Sequence, residues 1–184
     1  AEKLASYLIM DWDAVEREKE MEKHLEQDTK PADRTLLLAF PKASSSPEAM
    51  EYLKERGLKA SMVEEYGLRW DSERCRVLFP VLDRDNQFWG AAGRSTANQK
   101  PPYLNYWMEN RRRFALFGEF RWRERTGPII VVEGPIDALH VAQASKSVLA
   151  ISTLGSVTYD QLQRIAALAS LTKRAVFLWP DRDD

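Results

Sequence analysis

Two apolar runs in this chain end in carboxylates. Ile129-Ile130-Val131-Val132 leads directly into Glu133, and Ala175-Val176-Phe177-Leu178-Trp179 leads through Pro180 into Asp181-Arg182-Asp183. Strands of this kind place ligand sites at their C-terminal ends in α/β sheets. Acids gathered there repel one another unless a hard cation lies between them, and Mg²⁺ favours a few carboxylate oxygens together with substrate phosphates. In an extended chain residues two apart face the same way, so Asp181 and Asp183 can address one metal. Gly134 after Glu133 permits a sharp turn and a close approach of ligand to backbone. Asp137 follows in the first turn of the next helix, where an acid can also simply complement the helix dipole. The chemistry that these residue types suggest is metal-dependent phosphoryl transfer.

The elements that would hold them alternate. From residue 126 the chain reads as strand, helix, strand, helix, strand: Ile129–Val132, a helix opened by Gly134-Pro135 and carrying Ile136, Leu139, Val141 and Ala142, then Val148–Ile151. The box Thr158-Tyr159-Asp160-Gln161 starts a second helix with Leu162, Ile165, Ala166 and Leu168 on its apolar face, and Ala175–Trp179 closes the series. Nearly continuous apolar strands alternating with amphipathic helices predict a parallel sheet with right-handed crossovers, covered on both faces. Upstream, Ser46-Pro47 reads as an N-cap with proline in the first turn of a helix that Gly57 ends. Ser61-Met62-Val63-Glu64 reads as a capping box, with Gly67 as the stop. Arg74–Leu82 and Phe88–Ala92 around Asp83-Arg84-Asp85-Asn86 predict an antiparallel hairpin, with Gly90 and Gly93 marking a bulge or a close backbone approach. Residues 2–26 carry an apolar stripe at helical spacing, His24 reads as surface, and Lys42–Ser46 reads as a linker.

With 184 residues and 44% hydrophobic content, the chain can bury a core as one large or two small domains. No stretch approaches the roughly 20 apolar residues that a membrane span needs, so it reads as a cytoplasmic protein with no membrane partner. The single cysteine, Cys75, excludes an internal disulfide and a thiolate zinc ribbon, so no zinc is expected in this chain; Cys75 itself reads as an ordinary strand residue. The net charge of −1 conceals a gradient: residues 71–125 hold 11 basic and 7 acidic side chains, residues 1–70 hold 11 and 15. The basic middle is mostly arginine, including Arg111-Arg112-Arg113, interleaved with Tyr103, Tyr106, Trp107, Phe114 and Trp122. Guanidinium groups among aromatic rings suit phosphate contact and base stacking, although an Arg-rich stretch can equally be a solvated face.

Val131 to Leu139, Ser152-Thr153-Leu154-Gly155-Ser156 and Phe177 to Asp183 together resemble the Toprim domain of primases, topoisomerases and some nucleases. Upstream, Glu51 to Leu58, Glu65-Tyr66-Gly67-Leu68, Val77 to Asp83, Gly90 to Arg94, Tyr103-Leu104-Asn105 and Leu116-Phe117-Gly118 resemble, in this order, the RNA-polymerase core of DnaG-type bacterial and phage primases. The resemblance covers about residues 48–184. It implies an α/β chain made of an N-terminal helix and linker (1–45), a basic α+β subdomain (46–125) and a Rossmann-like Toprim domain with a parallel sheet (126–184), incomplete at its end. It also implies that Glu133, Asp137, Asp181 and Asp183 are catalytic, and that Glu133, Asp181 and Asp183 hold Mg²⁺ or Mn²⁺. Arg94, Lys100, Tyr103, Asn105, Arg111, Arg112 and Arg113 would then contact template or nucleotide. Pro102 stands where the family carries Lys, with Lys100 two residues earlier able to take its place. His140 reads as a residue of the helix surface.

The activity so implied is template-directed synthesis of short RNA primers on single-stranded DNA. NTPs and a replicative helicase, separate or fused, are the implied partners, and the chain reads as a piece of a longer primase. A Toprim nuclease or topoisomerase, and a non-catalytic segment that binds DNA or a helicase, are the alternatives. A topoisomerase requires a nucleophilic tyrosine on a separate domain, which no segment here resembles.

Overall fold

A computed structural model of the protein describes residues 31–108 and 113–179. The helix expected at 2–26, and Arg111, Arg112, Asp181 and Asp183, lie outside the described residues. Two sheets form the frame. The first is antiparallel, in the order β1 (Arg69–Asp71), β2 (Arg76–Leu82), β3 (Phe88–Ser95), β4 (Tyr103–Tyr106). The second is parallel, in the order β6 (Leu149–Ser152), β5 (Ile129–Val132), β7 (Val176–Trp179). Among the described residues no helix is long and apolar enough to cross a membrane.

Local signals account for most boundaries. The Ser46 hydroxyl accepts from the Ala49 N–H and Pro47 occupies the first turn of helix α2 (Pro47–Glu55), which follows the short α1 (Arg34–Leu38). Thr158 and Gln161 form the reciprocal capping box of α5 (Tyr159–Thr172), while α4 (Pro135–Ala144) starts from Gly134. The β2–β3 pairing slips between Val81 and Leu82, opposite Gly90, whose φ is +130°. A Cβ on Gly90 would run into the Met108 side chain and the Tyr106 carbonyl, so the bulge requires glycine.

Four local expectations fail, two because tertiary contacts override a short-range signal and two because a local turn does. The box at Ser61 does not form: α3 (Ala60–Glu65) is capped two residues earlier by Lys59, which contributes no side-chain hydrogen bond. Glu64 instead accepts from Ser44 and pairs with Lys42. Those partners belong to the supposed linker, which is a packed 3₁₀ turn (Ala43–Ser45) whose Ala43 is fully buried and donates its N–H to the Leu68 carbonyl. The strand expected from Arg74 begins at Arg76, because residues 71–75 form a turn in which Asp71 Oδ1 accepts from the Arg74 N–H, and β1 precedes it. Cys75 is therefore a turn residue with φ +48°, half-buried, rather than a strand residue.

The two sheets share one core. A single apolar cluster runs from Leu53, Val63 and Phe79 through Phe117 to Val132, Leu139 and Ala150. Phe117 is its pivot. Its backbone exchanges two 2.9 Å hydrogen bonds with Ser152 on β6, while its ring packs against Tyr66 (5.6 Å between centroids) and edge-on against Phe79 (5.8 Å). Burying such a ring favours the fold by roughly 1.5–3 kcal/mol. The parallel sheet is thereby fixed against the antiparallel one.

Candidate nucleotide and metal site

Glu133 follows the C-terminal end of the central parallel strand β5 and is half-buried. The loop after β6 fastens its backbone: the Glu133 carbonyl accepts from Ser152 Oγ at 2.7 Å and from the Gly155 N–H at 2.9 Å. Thr153 N–H donates to the Val132 carbonyl one residue back, at 3.0 Å. The Leu154-Gly155 turn lies at positive φ, which lets this short loop wrap the strand end. Asp137 is exposed on the first turn of α4, and its carboxylate folds over Gly134 into the space that a Cβ would occupy.

From the antiparallel sheet, Arg94 on β3 lies opposite Tyr103 on β4. Its guanidinium carbon sits 4.9 Å from the centre of the Tyr103 ring, and Nε donates to the Tyr52 hydroxyl at 3.3 Å. Tyr103 is the meeting point of the two halves. Burial chiefly pushes its phenol up from 10.0 to about 12; Arg94 opposes the rise, and the negative charge of Asp137 adds to it. Asp137 of the parallel half is thus close enough to act electrostatically on the ring that Arg94 covers. The same juxtaposition is held from behind, where Gln143 of α4 donates to the Gly57 carbonyl (3.0 Å) and accepts from the Lys59 N–H (2.7 Å). His140 is exposed on that helix, facing Gly57, as the sequence suggested.

The other expected contacts are dispersed. Asn105 is exposed on β4, two residues from Tyr103, and borders a groove of about 300 Å³ with Phe40, Arg74, Leu104, Tyr106 and Trp107. Lys100 is exposed in the β3–β4 loop, whose Pro101 and Pro102 carbonyls are gripped by the buried Arg76. Arg113 lies 3.7 Å from Asp160 and over the Phe114 ring; an exposed pair of this kind is weak and leaves the guanidinium accessible. Composition counted every arginine of the middle segment as a candidate for phosphate. The structure spends Arg76 on backbone carbonyls, and Arg121 and Arg125 on Glu65. Conversely, Tyr52 and Arg56 of the α2 region were overlooked. Arg56 sits over the Tyr52 ring at 5.3 Å, and their i, i+4 spacing within the resembling Glu51–Leu58 segment was the signal available. No group of three or more acids, histidines or cysteines converges among the described residues.

An antiparallel sheet carrying Arg94 over Tyr103 shares its core with a parallel sheet whose central strand runs into Glu133, an α/β arrangement with the fold of the DnaG primase catalytic core. No family model matches the chain. The DNA primase of Pseudomonas putida is 31% identical over 102 residues, 53% of this chain and 15% of that protein. The DNA primase of Escherichia coli K12 is 29% identical over 124 residues, 64% of this chain and 21% of that protein. A solved DnaG primase catalytic domain bound to single-stranded DNA superposes with a TM-score of 0.61 at 21% identity, covering 82% of this chain and 70% of that one. The chain is thus similar in sequence to DNA primases and has the fold of the DnaG catalytic core, and it spans about a fifth or less of the length of these curated relatives.

Proposed function

We propose that this chain supplies the polymerase core segment of a primase that, with a divalent cation, joins ribonucleotides into short RNA primers on a single-stranded DNA template. The observation that carries the reading is the Arg94 guanidinium, held by Tyr52 and over Tyr103 on the sheet that shares a core with the acid-tipped strand β5. The donor set suits a hard ion, since Glu133 and Asp137 offer carboxylate oxygens at one strand end and Gly134 leaves room for the second of them. Glu133, Asp181 and Asp183 would hold Mg²⁺ or Mn²⁺, with Asp137 beside them. Such an ion, when bound, offsets charge on the triphosphate and orients the attacking 3′-hydroxyl.

The chain's own part is binding and alignment. Arg94 would take phosphate oxygens of the incoming nucleotide, and Lys100, Arg111, Arg112 and Arg113 would neutralise template or nucleotide phosphates, contacts that give affinity falling with salt and little sequence preference. Tyr103 and Asn105 would face nucleotide on the same side of β4. In the full-length protein, Glu133→Gln and Asp181→Asn are expected to abolish incorporation of labelled NTPs on single-stranded DNA while DNA binding persists. Full incorporation in either variant would sink the assignment. Cleavage or relaxation of DNA in place of incorporation would instead support a Toprim nuclease or topoisomerase. Single-stranded template, NTPs and a replicative helicase are the partners that this reading implies.

A further inference from the structure

Arg94 reaches out from β3 beside Tyr103, yet what holds its side chain includes a residue of a different element. Register fixes its backbone between Val77 on β2 and Tyr103 on β4. The guanidinium is then caught from two sides: stacked over the Tyr103 ring, and joined through Nε to the hydroxyl of Tyr52, 42 residues away on α2. A free arginine side chain gives up rotamer freedom when it binds, and a side chain already held gives up less. An arginine held by neutral phenols keeps its full charge for phosphate oxygens. A carboxylate partner would compete with phosphate for the same charge, whereas a phenol does not.

Tyr52 suits this position for a second reason. It is half-buried on the helix whose end is tied to α4 through Gly57 and Gln143, so its hydroxyl is located by the same packing that locates Asp137. Its ring also carries Arg56 at 5.3 Å, which places two guanidinium groups around one tyrosine. We propose that Tyr52 is a positioning residue for nucleoside triphosphate binding: it touches no phosphate itself, and it presets Arg94 to receive one. This deepens the primase reading and rests on it.

The experiment is a double-mutant cycle on the full-length protein, measuring the Kd of a nucleoside triphosphate directly by equilibrium binding, together with the thermal midpoint. A net hydrogen bond contributes about 1 kcal/mol, so Tyr52→Phe is expected to weaken binding about fivefold with an unchanged midpoint. In an Arg94→Ala background the same change is expected to cost nothing further, because its target is gone. Three results would overturn the proposal: wild-type affinity in Tyr52→Phe, an equal loss with and without Arg94, or a loss matched by a fall in the midpoint. If Arg94→Ala itself binds nucleotide normally, the assignment of Arg94 to phosphate falls and Tyr52 falls with it. If Arg94→Ala weakens binding and Tyr52→Phe does not, only the positioning role is lost.

Discussion

At the seam between the two halves, Arg121 and Arg125 close on Glu65, and Arg164 closes on the buried Glu119 at 2.7 Å. Around Tyr52, by contrast, Arg94 and Arg56 gather on one ring and its hydroxyl, and Arg94 also lies over Tyr103. The side chains are the same; the partners differ. A buried guanidinium must be neutralised and hydrogen-bonded or it costs the fold dearly, so the seam uses carboxylates. Arg94 is held instead by the neutral phenols of Tyr52 and Tyr103, which orient it without neutralising it. Composition cannot separate Arg94 from Arg121 and Arg125, because each adds one positive charge to the same basic stretch.

The sharpest way to break the comparison is at the seam. Arg164→Ala would strand Glu119, and removing one partner of a buried pair costs about 3–5 kcal/mol, readable in urea denaturation. Burial raises the Glu119 pKa above its ordinary 4.5, with Arg164 opposing. A carboxyl with a raised folded pKa contributes stability that is present below its unfolded value and is lost as pH rises through the folded one. The deficit of Arg164→Ala should therefore be greatest at neutral pH and narrow in acid, as Glu119 takes up its proton. A pH-independent deficit would show that Glu119 is not the stranded group.

A cleft substitution should behave in the opposite way, sparing the fold and harming the site. Gly134→Ala places a Cβ where the Asp137 carboxylate now lies, and the end of a flexible side chain can move aside cheaply. Stability should change by no more than about 0.5 kcal/mol, while primer synthesis by the full-length protein should fall about tenfold, as expected when a reacting group is displaced. A large loss of stability would mean that Gly134 serves the fold rather than the site.

The smallest expected effect concerns Tyr103. Its phenol is raised from 10.0 to about 12, so it contributes stability that is fully present below pH 10 and lost as pH rises toward 12. Ultraviolet titration should show one tyrosine fewer ionising near pH 12 in Tyr103→Phe. An unchanged titration curve would argue that Tyr103 is not shielded at the junction.

How much of this was legible beforehand depends on the range of the signal. The strand at Ile129–Val132, the helix opened by Gly134-Pro135, the cap at Ser46-Pro47 and the Thr158–Gln161 box all formed where their residues predicted, because each is a bond or a periodicity within a few positions. The box at Ser61 failed although its pattern is equally good, since Glu64 was claimed by Lys42 and Ser44 some 20 residues away. The site divides in the same way. Glu133 and Asp137 could be named from a strand end and a glycine, and Arg94 from its neighbours in a resembling motif. Tyr52 could not, because nothing within reach of it in the chain needs its hydroxyl.

Sequence alone therefore determined the element types from residue 126 onward, the alternation that makes the second sheet parallel, and Glu133 at the end of its central strand. Tertiary structure decided the strand order β6-β5-β7, the burial of Ala43, the pairing of Arg121 and Arg125 with Glu65, and the hydrogen bond from Arg94 to Tyr52. The physical reason is reach: caps and hydrophobic periods are satisfied within a turn or two of the chain, whereas a charge finds its partner across whatever surfaces the shared core presses together around Phe117.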